Sequence, residues 1–131
     1  MTNSVRIIDM APFGKARPRV TRNGTFMPKQ YKARIEELQW RYGPVEVEGP
    51  CIVNILAVRP MPRSWSQAKR NHANGLHTTA RPDADNIAGA VMDALFPERT
   101  GGDGRVVGVI CQKVWGEVGQ LRIDISPAEA A

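Results

Sequence analysis

The chain has 131 residues, 42% hydrophobic and 24% charged, with a net charge of +5. That length and balance predict one compact domain that buries roughly two-thirds of its unfolded surface, and they disfavour a disordered chain or a multidomain enzyme. No apolar run approaches the roughly 20 residues of a membrane span, and residues 1–10 lack the pattern of a secretory signal, so neither a membrane protein nor a secreted one is expected.

In chain order, Ser4–Met10 carries Val5, Ile7 and Ile8 and reads as a first strand. Residues 11–28 form a basic loop rich in Pro, Gly and Arg, with Asn23-Gly24 as a two-residue hairpin signal. Tyr31, Ile35, Leu38 and Tyr42 fall on one helical face of Lys29–Tyr42, which Gly43-Pro44 ends. Cys51–Val58 is a buried strand, and residues 59–80 read as a long polar loop. Cys51 and Cys111 each sit inside an apolar run and are read as buried small hydrophobes in a reducing compartment. Ile87, Ala90, Val91, Ala94 and Leu95 repeat as an amphipathic helix starting near Ile87 and stopped by Pro97. A glycine-rich turn, Phe96–Gly104, leads into a strand over Arg105–Trp115. After a tight turn at Gly116–Gly119, Leu121, Ile123 and Ile125 alternate with polar residues as a half-buried antiparallel strand, and residues 127–131 look like a frayed tail. The order predicts a single α+β domain over residues 1–131, a mixed sheet covered by two α-helices.

The charge is unevenly placed. Residues 1–82 carry a balance of +9 and residues 83–131 one of −4. Lys15, Arg17, Arg19, Arg22, Lys29, Lys32 and Arg34 fall within twenty residues without an acid among them, which suits a polyanionic partner. A basic surface around a small acidic cluster is what a metal-dependent nuclease needs: cations for phosphates, carboxylates for the metal.

Asp83, Asp85 and Asn86 stand just before the helix. One acid there would cap free N–H groups and suit the helix dipole. Two, at i and i+2 after Arg81-Pro82, exceed what capping requires; on an extended approach they would share one side and hold Mg²⁺ between them. Asp103, at the tip of Gly101-Gly102-Asp103-Gly104, is the best third ligand, and Asp93 a weaker one. Spacing alone leaves both the metal site and a plain cap-and-turn open. Trp65 is read as stacking on a base or anchoring the long loop, His77 as touching substrate or packing, and Trp40 and Trp115 as core or dimer-edge residues.

Gly14-Lys15-Ala16-Arg17-Pro18-Arg19, Met27-Pro28-Lys29, Pro62-Arg63-Ser64-Trp65-Ser66, His77, Arg81-Pro82-Asp83-Ala84-Asp85-Asn86, Met92-Asp93-Ala94-Leu95, Asp103-Gly104-Arg105-Val106 and Lys113-Val114-Trp115 occur in this order. Together they resemble the RusA family of Holliday-junction resolvases, particularly its phage and prophage branch. The resemblance implies a homodimeric, Mg²⁺-dependent endonuclease, with Mn²⁺ as a substitute metal, that nicks four-way DNA junctions symmetrically. It implies metal-site roles for Asp83, Asp85 and Asp103 and a catalytic role for Lys113, with Asn86 in support. Two departures stand out. The family usually carries a catalytic lysine four residues after the second aspartate, where this chain has Gly89, and often a paired acid where it has Gly102. Glycine inside a helix costs about 1 kcal/mol relative to alanine, so Gly89 does not serve helix stability. Either Lys113, Lys15 or Lys69 supplies the missing cation, or turnover is weak, or the protein binds junctions and hardly cuts them. The first is favoured.

The expected function is therefore junction cleavage by paired nicks in DNA recombination and repair, in the cytoplasm of a bacterial or phage-infected cell. Lys15, Arg17, Arg19, Arg22, Lys29, Trp65, Lys69, Arg70, His77 and Arg81 are the expected DNA contacts. The alternative is a non-catalytic branched-DNA-binding protein whose acids only cap a helix.

Overall fold

A computed structural model describes residues 5–129. Its elements are β1 (Arg6–Ile8), β2 (Arg19–Thr21), β3 (Gly24–Phe26), α1 (Lys29–Tyr42), β4 (Cys51–Pro60), α2 (Gln67–Ala73), α3 (Ala84–Leu95), β5 (Val106–Gly116) and β6 (Gln120–Pro127), with one 3-10 turn at Glu98–Thr100. The main sheet runs β1-β6-β4-β5, antiparallel except for the parallel pair β4 and β5. A parallel pair needs a crossover, and α3 lies within the one that joins these two strands. The fold is thus the expected α+β domain with a mixed sheet.

Alternation decides which face is covered. Val53, Ile55 and Ala57 of β4 stand beside Ile125, Ile123 and Leu121 of β6, and all six are buried. They pack with Leu38 of α1 and with Ile87 and Val91 of α3. Each fully buried Ile or Leu stabilises the fold by about 1.5–3 kcal/mol. Every apolar position read on the α3 stripe is buried, and so are Tyr31, Leu38 and Tyr42 on α1. The opposite face carries Asn54, Arg122 and Asp124, with Val5 and Ile7 exposed beside them. Among the described residues no helix is long and apolar enough to cross a membrane.

Several boundaries differ from expectation. The hairpin turn is Arg22-Asn23, one residue early, because Gly24 opens β3 at φ 121° and the Thr21 hydroxyl closes the turn, accepting from Asn23 N at 3.2 Å and donating to Gly24 O at 3.0 Å. Residues 59–80 are not one loop. β4 continues to Pro60, and α2 follows, started by the Ser66 hydroxyl, which accepts from Lys69 N at 3.2 Å. With seven residues and none buried, α2 has no apolar stripe to announce it. The helix expected near Ile87 begins at Ala84. The tail is held at its start: Pro127 pairs with Cys51, and Ala128 N donates to Pro50 O at 2.9 Å; residues 130 and 131, like Ser4 of the predicted first strand, lie outside the described residues. Trp40 is 85% exposed and is no core residue.

The turn after β5 is not a hairpin. β6 pairs with β4, so residues 117–119 step across the end of β4. A side chain at Gly116 would stand 2.4 Å from Val58 Cγ1, and one at Gly119 would stand 2.9 Å from Ala11 Cα. Glycine is what lets the chain pass so closely.

Candidate nucleic-acid interface and acidic helix face

Proline at 82 biases Arg81 away from helical backbone, and Asp83 follows as the extended N-cap of α3 (φ −67°, ψ 150°). Its backbone carbonyl accepts from Ile87 N at 3.0 Å, but its carboxylate makes no capping hydrogen bond. Asp85 lies inside the first turn. The early start of α3 therefore removes the extended geometry on which the i, i+2 pairing rested: Asp83 precedes the helix, whereas Asp85 shares a stripe with Gly89 and Asp93 at four-residue intervals.

The basic loop crosses this helix. Phe13 is buried and meets Tyr31 edge-to-face at 6.1 Å. The backbone of Gly14 then lies against the first turn of α3, where a Cβ would stand 3.2 Å from Pro82 Cβ and 3.3 Å from Asn86 Cβ. Lys15 N donates to Asn86 O at 2.9 Å. The Lys15 stem passes over Gly89, and its ammonium reaches Asp93 Oδ1 at 3.3 Å. Tyr31 donates to the other Asp93 oxygen at 2.7 Å. Burial first, and then Asp93, push the Tyr31 phenol well above its ordinary pKa, so it remains a donor throughout the neutral range. The Lys15–Asp93 pair is 49% and 33% exposed, and pairs of that kind contribute at most about 1 kcal/mol.

Two hollows mark the ends of this face. Arg17, Arg81, Pro82, Asp83 and Asn86 line one; Lys15, Asp93, Gly102 and Asp103 are among those lining the other. Asp103 lies past the C-terminal end of α3, in a tip shaped by Gly101 at φ 103° and Gly102 at φ 73°. Twelve helical residues span about 18 Å, and this length separates the tip's end of α3 from the Asp83 end. Among the described residues, no three His, Cys, Asp or Glu side chains stand close enough together to hold a metal ion. The expected gathering of Asp83, Asp85 and Asp103 is thus not present as a closed cage. The donor chemistry still fits Mg²⁺, which binds hard carboxylate oxygens and commonly takes only one or two from the protein, filling its shell with water and substrate phosphate. Asp83 and Asp85 are exposed and within one turn of each other.

Lys113 projects from the same sheet face as Ala57 and donates to Ala80 O at 2.9 Å, three residues before Asp83. Thr78 N in turn donates to Lys113 O at 3.2 Å, and His77 bridges to Val114, so residues 75–78 line the outer edge of β5. Trp65 meets Trp115 edge-on at 5.0 Å, and the Lys69 ammonium lies 4.2 Å from the Trp65 ring centroid. Trp65 therefore anchors its segment to the body. Arg70 pairs with Glu117 at 3.8 Å. Arg17, Arg19, Arg22, Lys29 and Arg81 are exposed. The cysteines are free, Cys51 buried and Cys111 half-buried, and burial pushes the Cys111 thiol up to about 11.

Asp93, by spacing the weaker metal candidate, holds both Lys15 and Tyr31, and Tyr31 is thus a polar partner as well as an apolar face residue. Glycine at 14 and 89, facing each other's segments, was the available signal. Residues 9–126 match the family described as "Endodeoxyribonuclease RusA". The chain is also 28% identical over 131 residues to "Uncharacterized protein YqaN" of Bacillus subtilis (strain 168), covering 91% of this chain and 92% of that one.

Proposed function

Because the chain belongs to the RusA endodeoxyribonuclease family, we propose that it is a divalent-metal-dependent nuclease that resolves four-way DNA junctions by paired symmetric nicks. One observation carries this reading. Asp83 is the N-cap of α3 yet leaves its carboxylate uncommitted to capping, in a hollow shared with Arg17 and Arg81. An acid that does not cap and is flanked by cations suits a metal bridged to a phosphate.

Asp83 and Asp85 would be the protein's oxygen donors to Mg²⁺ or Mn²⁺, while Asp103, past the far end of α3, stands apart from that pair. When bound, the cation would lower the pKa of a water and stabilise charge on the attacked phosphate. Asn86, beside Asp83, would orient that carboxylate or a water. Arg17 and Arg81 would grip the phosphate backbone, joined by Arg19, Arg22 and Lys29 along the exposed hairpin and helix start. Lys69 and His77 would extend that surface along the α2 side, with Trp65 packed beneath Lys69 and Arg70 engaged by Glu117. Lys113 serves as a positioning residue, fixing Ala80 and through it the approach to Asp83. Two symmetric nicks would require two sites related by a two-fold axis, hence a homodimer, acting on DNA in the cytoplasm.

The separation of Asp103 from Asp83 favours a second reading, a branched-DNA binder with little or no cutting. Incubating the protein with a synthetic four-way junction in Mg²⁺ and in EDTA separates the two. Paired nicks in Mg²⁺ alone support the nuclease; equal binding in both and no nicks support the binder.

A further inference from the structure

We propose that Lys15 is the cation that contacts the scissile phosphate, that Gly89 is the cradle that puts it there, and that Asp93 is its resting partner. This rests on the nuclease reading and names a residue for it. The Lys15 stem lies across α3 at the one position of the Asp85–Gly89–Asp93 stripe that has no side chain. A Cβ at 89 would stand 3.1 Å from Lys15 Cδ and 3.5 Å from Lys15 Cβ, so even a methyl would shift the stem from its present path by a few tenths of an ångström.

The path is anchored at the backbone and ends in an exposed ion pair. Lys15 N donates to Asn86 O at 2.9 Å, and Gly14 packs on Pro82 and Asn86, which ties the loop to the turn carrying Asp83 and Asp85. At the far end the ammonium meets Asp93, whose other oxygen is held by Tyr31. The anchored backbone leaves only the side-chain torsions of Lys15 free. Its exposed ion pair with Asp93 is readily exchanged for a phosphate oxygen, and the stem then swings along the stripe toward Asp85. Lys113 cannot play this part while it is engaged with Ala80 O at 2.9 Å. Lys69 lies over Trp65, in a different part of the fold.

The test uses the full chain and three variants, Lys15→Met, Gly89→Ala and Asp83→Asn. It measures junction cleavage in Mg²⁺, junction binding in EDTA as a function of salt, and thermal unfolding. Lys15→Met should cut at least 30-fold more slowly and lower the slope of log binding constant against log salt by about 0.9, one phosphate contact. Gly89→Ala should cut at least 10-fold more slowly while unfolding at no lower a temperature, because alanine is the better helix former. If Asp83→Asn abolishes cutting while Lys15→Met and Gly89→Ala both stay within twofold of the parent, with the salt slope unchanged, the proposal is overturned and the nuclease reading stands. If the parent protein cuts no junction, the nuclease reading fails and this assignment fails with it.

Discussion

The Lys113 ammonium spans from β5 to the Ala80 carbonyl at 2.9 Å, coupling the sheet to the segment that delivers Asp83. A charged, partly buried hydrogen bond of this kind contributes about 1 kcal/mol or more. Lys113→Ala should therefore lower the melting temperature by roughly 3–5 °C and slow cleavage by loosening Asp83. Lys113→Arg should recover part of both. Thermal unfolding and junction cleavage on the same samples check this.

Asp83→Asn should leave stability within about 0.5 kcal/mol of the parent, because its carboxylate makes no capping bond. Cleavage in Mg²⁺ should fall at least 100-fold, and Asp85→Asn should behave likewise. A large loss of stability with unchanged cleavage would restore the capping role.

Gly116→Ala should destabilise by about 1–3 kcal/mol, since its Cβ would stand 2.4 Å from Val58 Cγ1 in a packed region. Urea unfolding should show a lower midpoint. Gly104→Ala, with nothing within 4 Å of the added carbon, is the neutral control.

The half-buried Cys111 thiol, raised from 9.0 to about 11 by burial, stays protonated at neutral pH. The folded state holds this proton more tightly than the unfolded one, so the group's contribution to stability is complete below pH 9 and is lost as pH rises toward 11. Alkylation by iodoacetamide should accordingly be slow at pH 8 and accelerate only near pH 11. Cys111→Ser should flatten the loss of stability between those values.

Apolar periodicity made the core legible. The α3 stripe and the alternation of β6 could be read because burial repeats every 3.6 or 2 residues. α2 was not legible because it buries nothing, and the start of α3 was misplaced because Ala84, Asp85 and Asn86 carry no large apolar side chain. At the site, residue types pointed to Asp83 and Asp85, but the path of Lys15 over Gly89 depends on a contact between segments more than seventy positions apart, which no local pattern encodes.

The sheet is completed by β1, whose only neighbour among the described residues is β6: Arg6 stands opposite Ile123 and Ile8 opposite Leu121. β1 thus closes the sheet on a strand more than one hundred positions further along, a non-local pairing of the kind that forms late in folding.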